Sequence, residues 1–468
     1  MMRLRVVAAG VFGLVGMSSL MAQDTLPAAT ASQVDAAAAY VLAATGVPSA
    51  SVAIVQGGKI AYVKAYGKAR LGPVMEATPA MQYSVGSISK QFTAALVLLL
   101  VQDGKVKLDD PVGRYLPELT RAGEVTVRQV LSMTSGYQDF WPEDYVMSSM
   151  MEPTVPQHIL DVWAKKPLDF EPGTEWQYSN TNYVIAGRIA EIAGGKPLIE
   201  QLQERIFKPL GMTGVLNSDA SRLPETDPTG YYRHALGPLR PSPKEGTGWM
   251  FAAGELAMPA RDLAKWNISM MDRTLLASAS YDTMFTEVKL KSGKGSGYGL
   301  GVQVGERNGH RYIEHSGEVS GFVSENIVFP EDKVAITVLT NEDASSAASE
   351  LERQIAPLVL GGVSDEDAAK AEARALAIYA GLQEGKLDRS QLTAFCDGYF
   401  SAEAVADFQE SLKGLGVPGS FKQVAKELRG GMTFRVFAVQ YPGKALRVTE
   451  YDEPDGKIEQ YLVIPVGS

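Results

Sequence analysis

Ser87 and Lys90 stand three residues apart in the run Tyr83-Ser84-Val85-Gly86-Ser87-Ile88-Ser89-Lys90-Gln91-Phe92-Thr93-Ala94. On a helix, that spacing puts two side chains on one face. Helical side chains lean toward the N-terminus, so the lysine leans back over the serine. A serine hydroxyl is a weak nucleophile until a neighbour takes its proton. A lysine does so only when partly neutral, a state that burial or nearby cations promote. A helix start adds backbone N–H groups and partial positive charge beside a developing oxyanion. Gly86 allows the close turn that would set Ser87 there. The bland reading is a chance Ser-x-x-Lys with Ser87 as a cap. Ser89 is a rival nucleophile, but Lys90, its immediate neighbour, points elsewhere on a helix.

Two further stretches add the groups that such chemistry needs. Pro172-Gly173-Thr174-Glu175-Trp176-Gln177-Tyr178-Ser179-Asn180 reads as a turn and an extended piece leading into a helix with Ile185, Ile189 and Ile192 on one face. In an extended Tyr178-x-Asn180 the two side chains share a side. The phenol can pass protons, and the amide can hold a lysine or a substrate carbonyl. Their structural alternative is a packed ring and a helix cap. Glu314-His315-Ser316-Gly317-Glu318-Val319-Ser320-Gly321-Phe322 reads as a strand with small residues, where backbone can approach a ligand. Such an edge can bind a peptide-like substrate through its main chain. The Glu318 N–H is a candidate second oxyanion donor, beside that of Ser87. His315 taken alone reads as a structural histidine.

The elements that must position these groups are legible in outline. Ala50 to Val55, Gly57-Gly58 and Ile60 to Tyr66 predict a β-hairpin. Phe322 to Phe329 and Val334 to Thr340 predict two more strands, followed by a helix from about Ser345 to Leu360 that Pro357 kinks or ends early. Strands at both ends and helices between predict one sheet built from the two ends of a domain. The composition shifts at Gly361-Gly362. Beyond it, helices over 364–415 and four strand-like runs predict a separate small α+β domain over 364–468. By element order it resembles a cone-shaped domain of the nuclear-transport-factor-2-like kind. Its Cys396, Asp397 and Tyr399 read as fold residues, and Gly293-Lys294-Gly295-Ser296-Gly297 lacks the ending of a phosphate loop.

Composition excludes several classes. With 44 Lys and Arg against 54 Asp and Glu, the net charge of −10 gives no electrostatic reason to bind nucleic acid or an anionic membrane. One cysteine rules out an internal disulfide and a thiolate zinc cluster. The four histidines form no HExxH pair, so no catalytic metal is expected, and acyl transfer through a serine requires no cofactor. Arg3, Arg5, an apolar run from Val6 to Met17 and Leu20-Met21-Ala22 predict a signal peptide over 1–22. The mature chain is then expected to be exported, periplasmic or secreted, with no membrane span. Ala94 to Val101, about half a span, suits a buried helix.

Taken together, the three stretches resemble the serine β-lactamase and penicillin-binding-protein superfamily, over about Ala31 to Leu360. They are most similar to the branch of class C β-lactamases, D-alanyl-D-alanine carboxypeptidases, D-aminopeptidases and esterases. Leu131-Ser132-Met133-Thr134-Ser135-Gly136 and Gly297-Tyr298-Gly299-Leu300-Gly301 add to the likeness. The resemblance implies an α+β fold, an antiparallel sheet flanked by helices with a mainly helical region. It implies Ser87 as nucleophile, Lys90 and Tyr178 as proton-transfer groups, and Asn180, His315, Ser316 and Gly317 as substrate-binding or relay residues. The implied reaction is two-step acyl transfer on a small-molecule or peptide substrate: a D-amino-acid peptide, an ester or a β-lactam. Whether Lys90 or Tyr178 is the base stays open, as does oligomeric state. The third motif is commonly Lys-Thr-Gly in the family, and His315 replaces its fixed charge. That departure favours peptide or ester over strong β-lactam hydrolysis. The alternative is a catalytically silent member serving in binding or assembly.

Overall fold

The computed structural model describes residues 25–143, 146–360, 366–441 and 444–465. The expected signal peptide therefore lies outside the described residues. The larger sheet has seven strands, β1 Ser49–Gln56, β2 Lys59–Leu71, β3 Val74–Glu76, β4 Gln303–Arg307, β5 His310–Val319, β6 Phe322–Phe329 and β7 Val334–Thr340. Its order is β3-β2-β1-β7-β6-β5-β4, antiparallel throughout. The two ends of the domain meet where β1 pairs with β7, Val52 opposite Val338. The hairpin and the two late strands thus fall on the runs that the sequence marks off by turns.

Its principal helices are α1 Ala28–Thr45, α2 Ser89–Gln102, α3 Asn180–Gly194, α4 Ala260–Asp272 and α5 Ala347–Val359. Helices α1 and α5 cover one face of the sheet: Val34, Ala38, Leu351 and Ile355 share a core with Val52, Ile54 and Ile336. Ala53 and Val55 point to the opposite face and join the larger core. With both faces covered, β1 is buried continuously from Ser49 to Val55. Helix α4 lies on that second face, where buried Asn267 donates to Asn326 Oδ1 at 2.8 Å and Thr337 Oγ1 at 3.2 Å.

Helix α2 is the centre of the helical region. Every residue from Ser89 to Leu100 is buried, as a helix without a polar face must be. Two of its polar side chains bond to the surrounding core: Trp266 Nε1 donates to Gln91 Oε1 at 2.8 Å, and Thr93 donates to the Ala252 carbonyl at 2.8 Å. Two expectations need adjustment. Ile192 is 46% exposed, so only Ile185 and Ile189 of that stripe reach the core. Pro357 sits inside α5 without ending it early, because it falls in the last turn, where few bonds remain to lose.

The C-terminal sheet domain carries α6 Glu366–Gln383, α7 Ala394–Tyr399 and α8 Ala402–Lys413, then β8 Ser420–Arg429, β9 Met432–Tyr441, β10 Lys444–Asp452 and β11 Ile458–Pro465. The strands form an antiparallel meander in sequence order. Tyr379, Phe400, Phe437, Val448 and Tyr461 belong to its own core.

Candidate active site

Ser87 lies in a 3-10 turn, Gly86–Ile88, that runs directly into α2. The turn is wedged between two strands. Val85 N–H donates to the Leu256 carbonyl at 2.9 Å, and Ser324 Oγ donates to the Val85 carbonyl at 2.9 Å. Gly86 has φ +51°, and a Cβ there would stand 2.7 Å from the Glu318 nitrogen. A Cβ on Gly317 would stand 2.0 Å from the Val85 carbonyl oxygen. The glycines therefore let β5 and the serine turn touch backbone to backbone. Strand β4 pairs with β5 only as far as Glu314. Residues 315–318 beyond that point line the cleft with Ser87.

Lys90, one turn along α2, is fully buried. Its Nζ lies 2.8 Å from each of three oxygens: Ser87 Oγ, Asn180 Oδ1 and the Ala253 carbonyl. Burial pushes its pKa down to about 7, opposed by the negative charge of Asp139. Tyr178 arrives from the loop before α3, and its hydroxyl donates to Ser87 Oγ at 2.7 Å. Burial raises the pKa of this phenol and holds it protonated. The Gln177 N–H donates to the Met133 carbonyl at 3.1 Å, and Met133 has φ +61°. The stretch Leu131 to Gly136 thus braces the Tyr178 loop. Asn180 is the first residue of α3, so the phenol and the amide come from a loop and a helix start instead of one strand.

His315 is buried, and both its nitrogens are committed. Nδ1 lies 2.6 Å from the Ser316 carbonyl and Nε2 lies 2.9 Å from the Tyr298 hydroxyl. A carbonyl only accepts, so Nδ1 carries the proton and Nε2 accepts from the phenol. Burial, with the Lys90 charge second, lowers its pKa to about 3, so the ring is neutral near pH 7. Its ring lies 6.2 Å from that of Tyr178, centroid to centroid. His315 thus lines the same cleft as Ser87, with its two ring nitrogens engaged by Ser316 and Tyr298. Ser316, Gly317 and Glu318 line the cleft from β5.

Ser87, Tyr178 and Asn180 open on a cleft of about 930 Å³. Phe140, Trp141, Trp249 and Met250 form an apolar wall. Glu143, Glu318 and Asp343 put carboxylates around it, while Arg233 is held by Glu342.

Three participants are absent from the sequence-based reading. Asp139 accepts the Asn180 N–H at 2.9 Å and the Asn180 Nδ2 at 3.3 Å. The signal for it was an acid set among aromatics, Tyr137 to Trp141, just after the Leu131 to Gly136 stretch. The Ala253 carbonyl has no signal, since any residue supplies one. Tyr183 places its ring 5.6 Å from Lys90 Nζ, and its hydroxyl bonds the Leu131 carbonyl at 2.9 Å.

The β-lactamase family model matches residues 34–360 of this chain. A D-aminopeptidase of Brucella anthropi is 28% identical over 323 residues, covering 68% of this chain and 60% of that protein. A penicillin-binding protein of Bacillus subtilis is 28% identical over 310 residues, covering 63% of this chain and 68% of that one. Among solved structures, a D-amino acid amidase from Ochrobactrum anthropi SV3 superimposes with a TM-score of 0.62 at 26% identity, covering 72% of this chain and 99% of the amidase.

Proposed function

Because the chain belongs to the β-lactamase family, we propose that it is a serine hydrolase that forms an acyl-enzyme on Ser87, with Lys90 as the base. The hydrogen-bond inventory of Lys90 carries this reading. A neutral amine has two N–H groups and one lone pair. Asn180 Oδ1 and the Ala253 carbonyl can only accept, so they take both N–H groups. The lone pair is left facing Ser87 Oγ at 2.8 Å. Ser87 then donates its proton to Lys90 while accepting from Tyr178.

The reaction follows from that network. Ser87 Oγ attacks the substrate carbonyl as its proton passes to Lys90. The oxyanion is received by the backbone N–H groups of Ser87 and Glu318. As the tetrahedral adduct collapses, Tyr178 protonates the leaving nitrogen or oxygen and is reprotonated from Lys90. Water then cleaves the ester, with Lys90 and Tyr178 serving in reverse. The coupled protons belong to the pair, but the buried phenol is the poorer base.

Among peptide, ester and β-lactam substrates, we favour amides and esters without a carboxylate beside the scissile bond. His315 supplies no positive charge, and Glu318 and Asp343 stand at the cleft. The D-aminopeptidase and D-amino acid amidase relatives make D-amino-acid amides and peptides the first substrates to try.

The test is mass spectrometry after treatment with an uncharged fluorophosphonate. A covalent adduct on Ser87, absent in Ser87→Ala, is expected. A folded chain that takes no label would instead support the silent binding module. Matched peptides ending in carboxylate or carboxamide then test substrate charge, the carboxamide being cleaved faster. The proposal includes export, tested by N-terminal sequencing of the mature chain, with Gln23 as the expected first residue.

A further inference from the structure

We propose that Asp139 is a positioning residue of this site: its carboxylate fixes the Asn180 amide with the oxygen turned toward Lys90 and holds a negative charge one amide away from the Lys90 amine. The proposal rests on the reading of Ser87 as nucleophile and Lys90 as base.

A side-chain amide is nearly symmetric in shape, so contacts alone do not decide which end faces Lys90. The carboxylate decides it. Asp139 Oδ1 accepts the backbone N–H groups of Asn180 at 2.9 Å and Trp141 at 3.2 Å, which fixes the carboxylate itself. Its Oδ2 then accepts Asn180 Nδ2 at 3.3 Å. A carboxylate cannot donate, so the NH₂ end must face it. The oxygen end is thereby aimed at Lys90 Nζ, 2.8 Å away. Turned over, the amide would present N–H groups to Lys90 and compete with Ser87 for its lone pair. The sequence Asp139, Asn180, Lys90, Ser87 has the logic of a base held by an orienting group.

The charge matters as well as the shape. The groups around Lys90 are the Tyr178 and Tyr183 rings, 5.0 and 5.6 Å from Nζ, with His315 on β5 and Asp139. Burial holds both phenols protonated, and His315 is neutral. Asp139 supplies the negative charge that opposes the desolvation of Lys90. A stronger base takes the Ser87 proton more readily, so the carboxylate keeps Lys90 useful near neutral pH.

The test is the pH dependence of Ser87 acylation by an uncharged fluorophosphonate, which cannot itself titrate. In Asp139→Asn the acid limb should move to lower pH by roughly one unit, and the plateau rate should fall at least tenfold as the amide loses its fixed orientation. The double variant Asp139→Asn/Asn180→Asp puts the carboxylate on the residue that touches Lys90. Its limb should move above that of the unaltered protein, with part of the plateau recovered. A purely structural role for Asp139 predicts a lower melting temperature and an unmoved limb in Asp139→Asn, and that result overturns the proposal. Should Asp139→Asn fail to fold, Asp139→Ser, which keeps an acceptor for the Trp141 N–H, decides by the same limb: a shift to lower pH supports the proposal and an unmoved limb overturns it. Labelling of Ser87 with an unmoved limb overturns this proposal alone, whereas a folded, unaltered protein that takes no label at any pH overturns the nucleophile reading as well.

Discussion

Lys90 carries a cation's side chain into a fully buried place, and its proton affinity drops until the amine is half neutral near pH 7. The sign of the pH dependence follows. Below pH 7 Lys90 is protonated, its third N–H points at Ser87, and the serine has no acceptor for its proton. Hydrolysis of an uncharged ester should therefore lose about tenfold in kcat/KM per pH unit below 7, with the limb centred there. A stopped-flow pH profile checks this, and a limb near pH 4 would assign the base to another group. Tyr178 separates from Lys90 by leaving group. Tyr178→Phe keeps the packing but removes the proton donor, so amide cleavage should fall by roughly 10²–10⁴-fold. A p-nitrophenyl ester, whose leaving group needs no proton, should lose far less, while Lys90→Met should abolish both. At this scale the sequence revealed what is carried by side chains at short spacing: Ser87 with Lys90, and Tyr178 with Asn180. It hid what is carried by backbone or by distance. The Ala253 carbonyl reaches Lys90 across 163 residues, and any residue type could have supplied it.

Strand β5 and the serine turn meet along bare backbone, and two glycines separate fit from conformational freedom. Gly195, just past α3, has φ +74° and no neighbouring atom within 4 Å of where a Cβ would sit. Gly195→Ala should cost roughly 1–2 kcal/mol through the left-handed backbone alone and leave turnover intact. Gly317 is the opposite case. Its Cβ would stand 2.0 Å from the Val85 carbonyl, so Gly317→Ala must push β5 away from Ser87. Thermal melts should show a loss of roughly 1–3 kcal/mol or more, accompanied by loss of Ser87 labelling. Comparable labelling in the two variants would show that the contact does not set the site. The small residues of this strand were visible in the sequence, where they read as room for a ligand. Part of that room belongs to the protein itself, because Val85 and Gly86 occupy one side of the strand. The tyrosine segment shows a similar limit. An extended Tyr178-x-Asn180 explains how two side chains share a side, yet Asn180 already belongs to α3. The junction of loop and helix, set by Asp139 holding the Asn180 N–H, was beyond any local pattern.

The whole chain is organised by where strands must find partners. The large sheet joins residues 49–56 to residues 334–340 through the β1–β7 pairing, so a cut between them severs a sheet from its own centre. Among the described residues the four C-terminal strands pair with one another in sequence order, within residues 420–465, with one isolated bridge from Leu392 to Ile458. Their core is likewise made of residues 371–461, with Tyr461 tied to the Ala375 carbonyl at 2.7 Å. The C-terminal sheet was legible in the sequence, because a meander leaves a local pattern of strands and turns. The closure of the large sheet was legible only as strands left over at both ends. A chain ending at residue 360 retains all seven strands of the large sheet and every group bonded to Lys90. It should fold, melt in one cooperative transition and take the fluorophosphonate on Ser87 at a rate within a few-fold of the full chain. A chain ending at residue 333 lacks β7 and leaves β1 paired only with β2 and β6 only with β5. It should not fold, because two central edges with unpaired backbone groups cannot be buried. If the 360-residue chain folds but labels much more slowly, then the C-terminal domain reaches the chemistry at Ser87 and is more than a second folding unit.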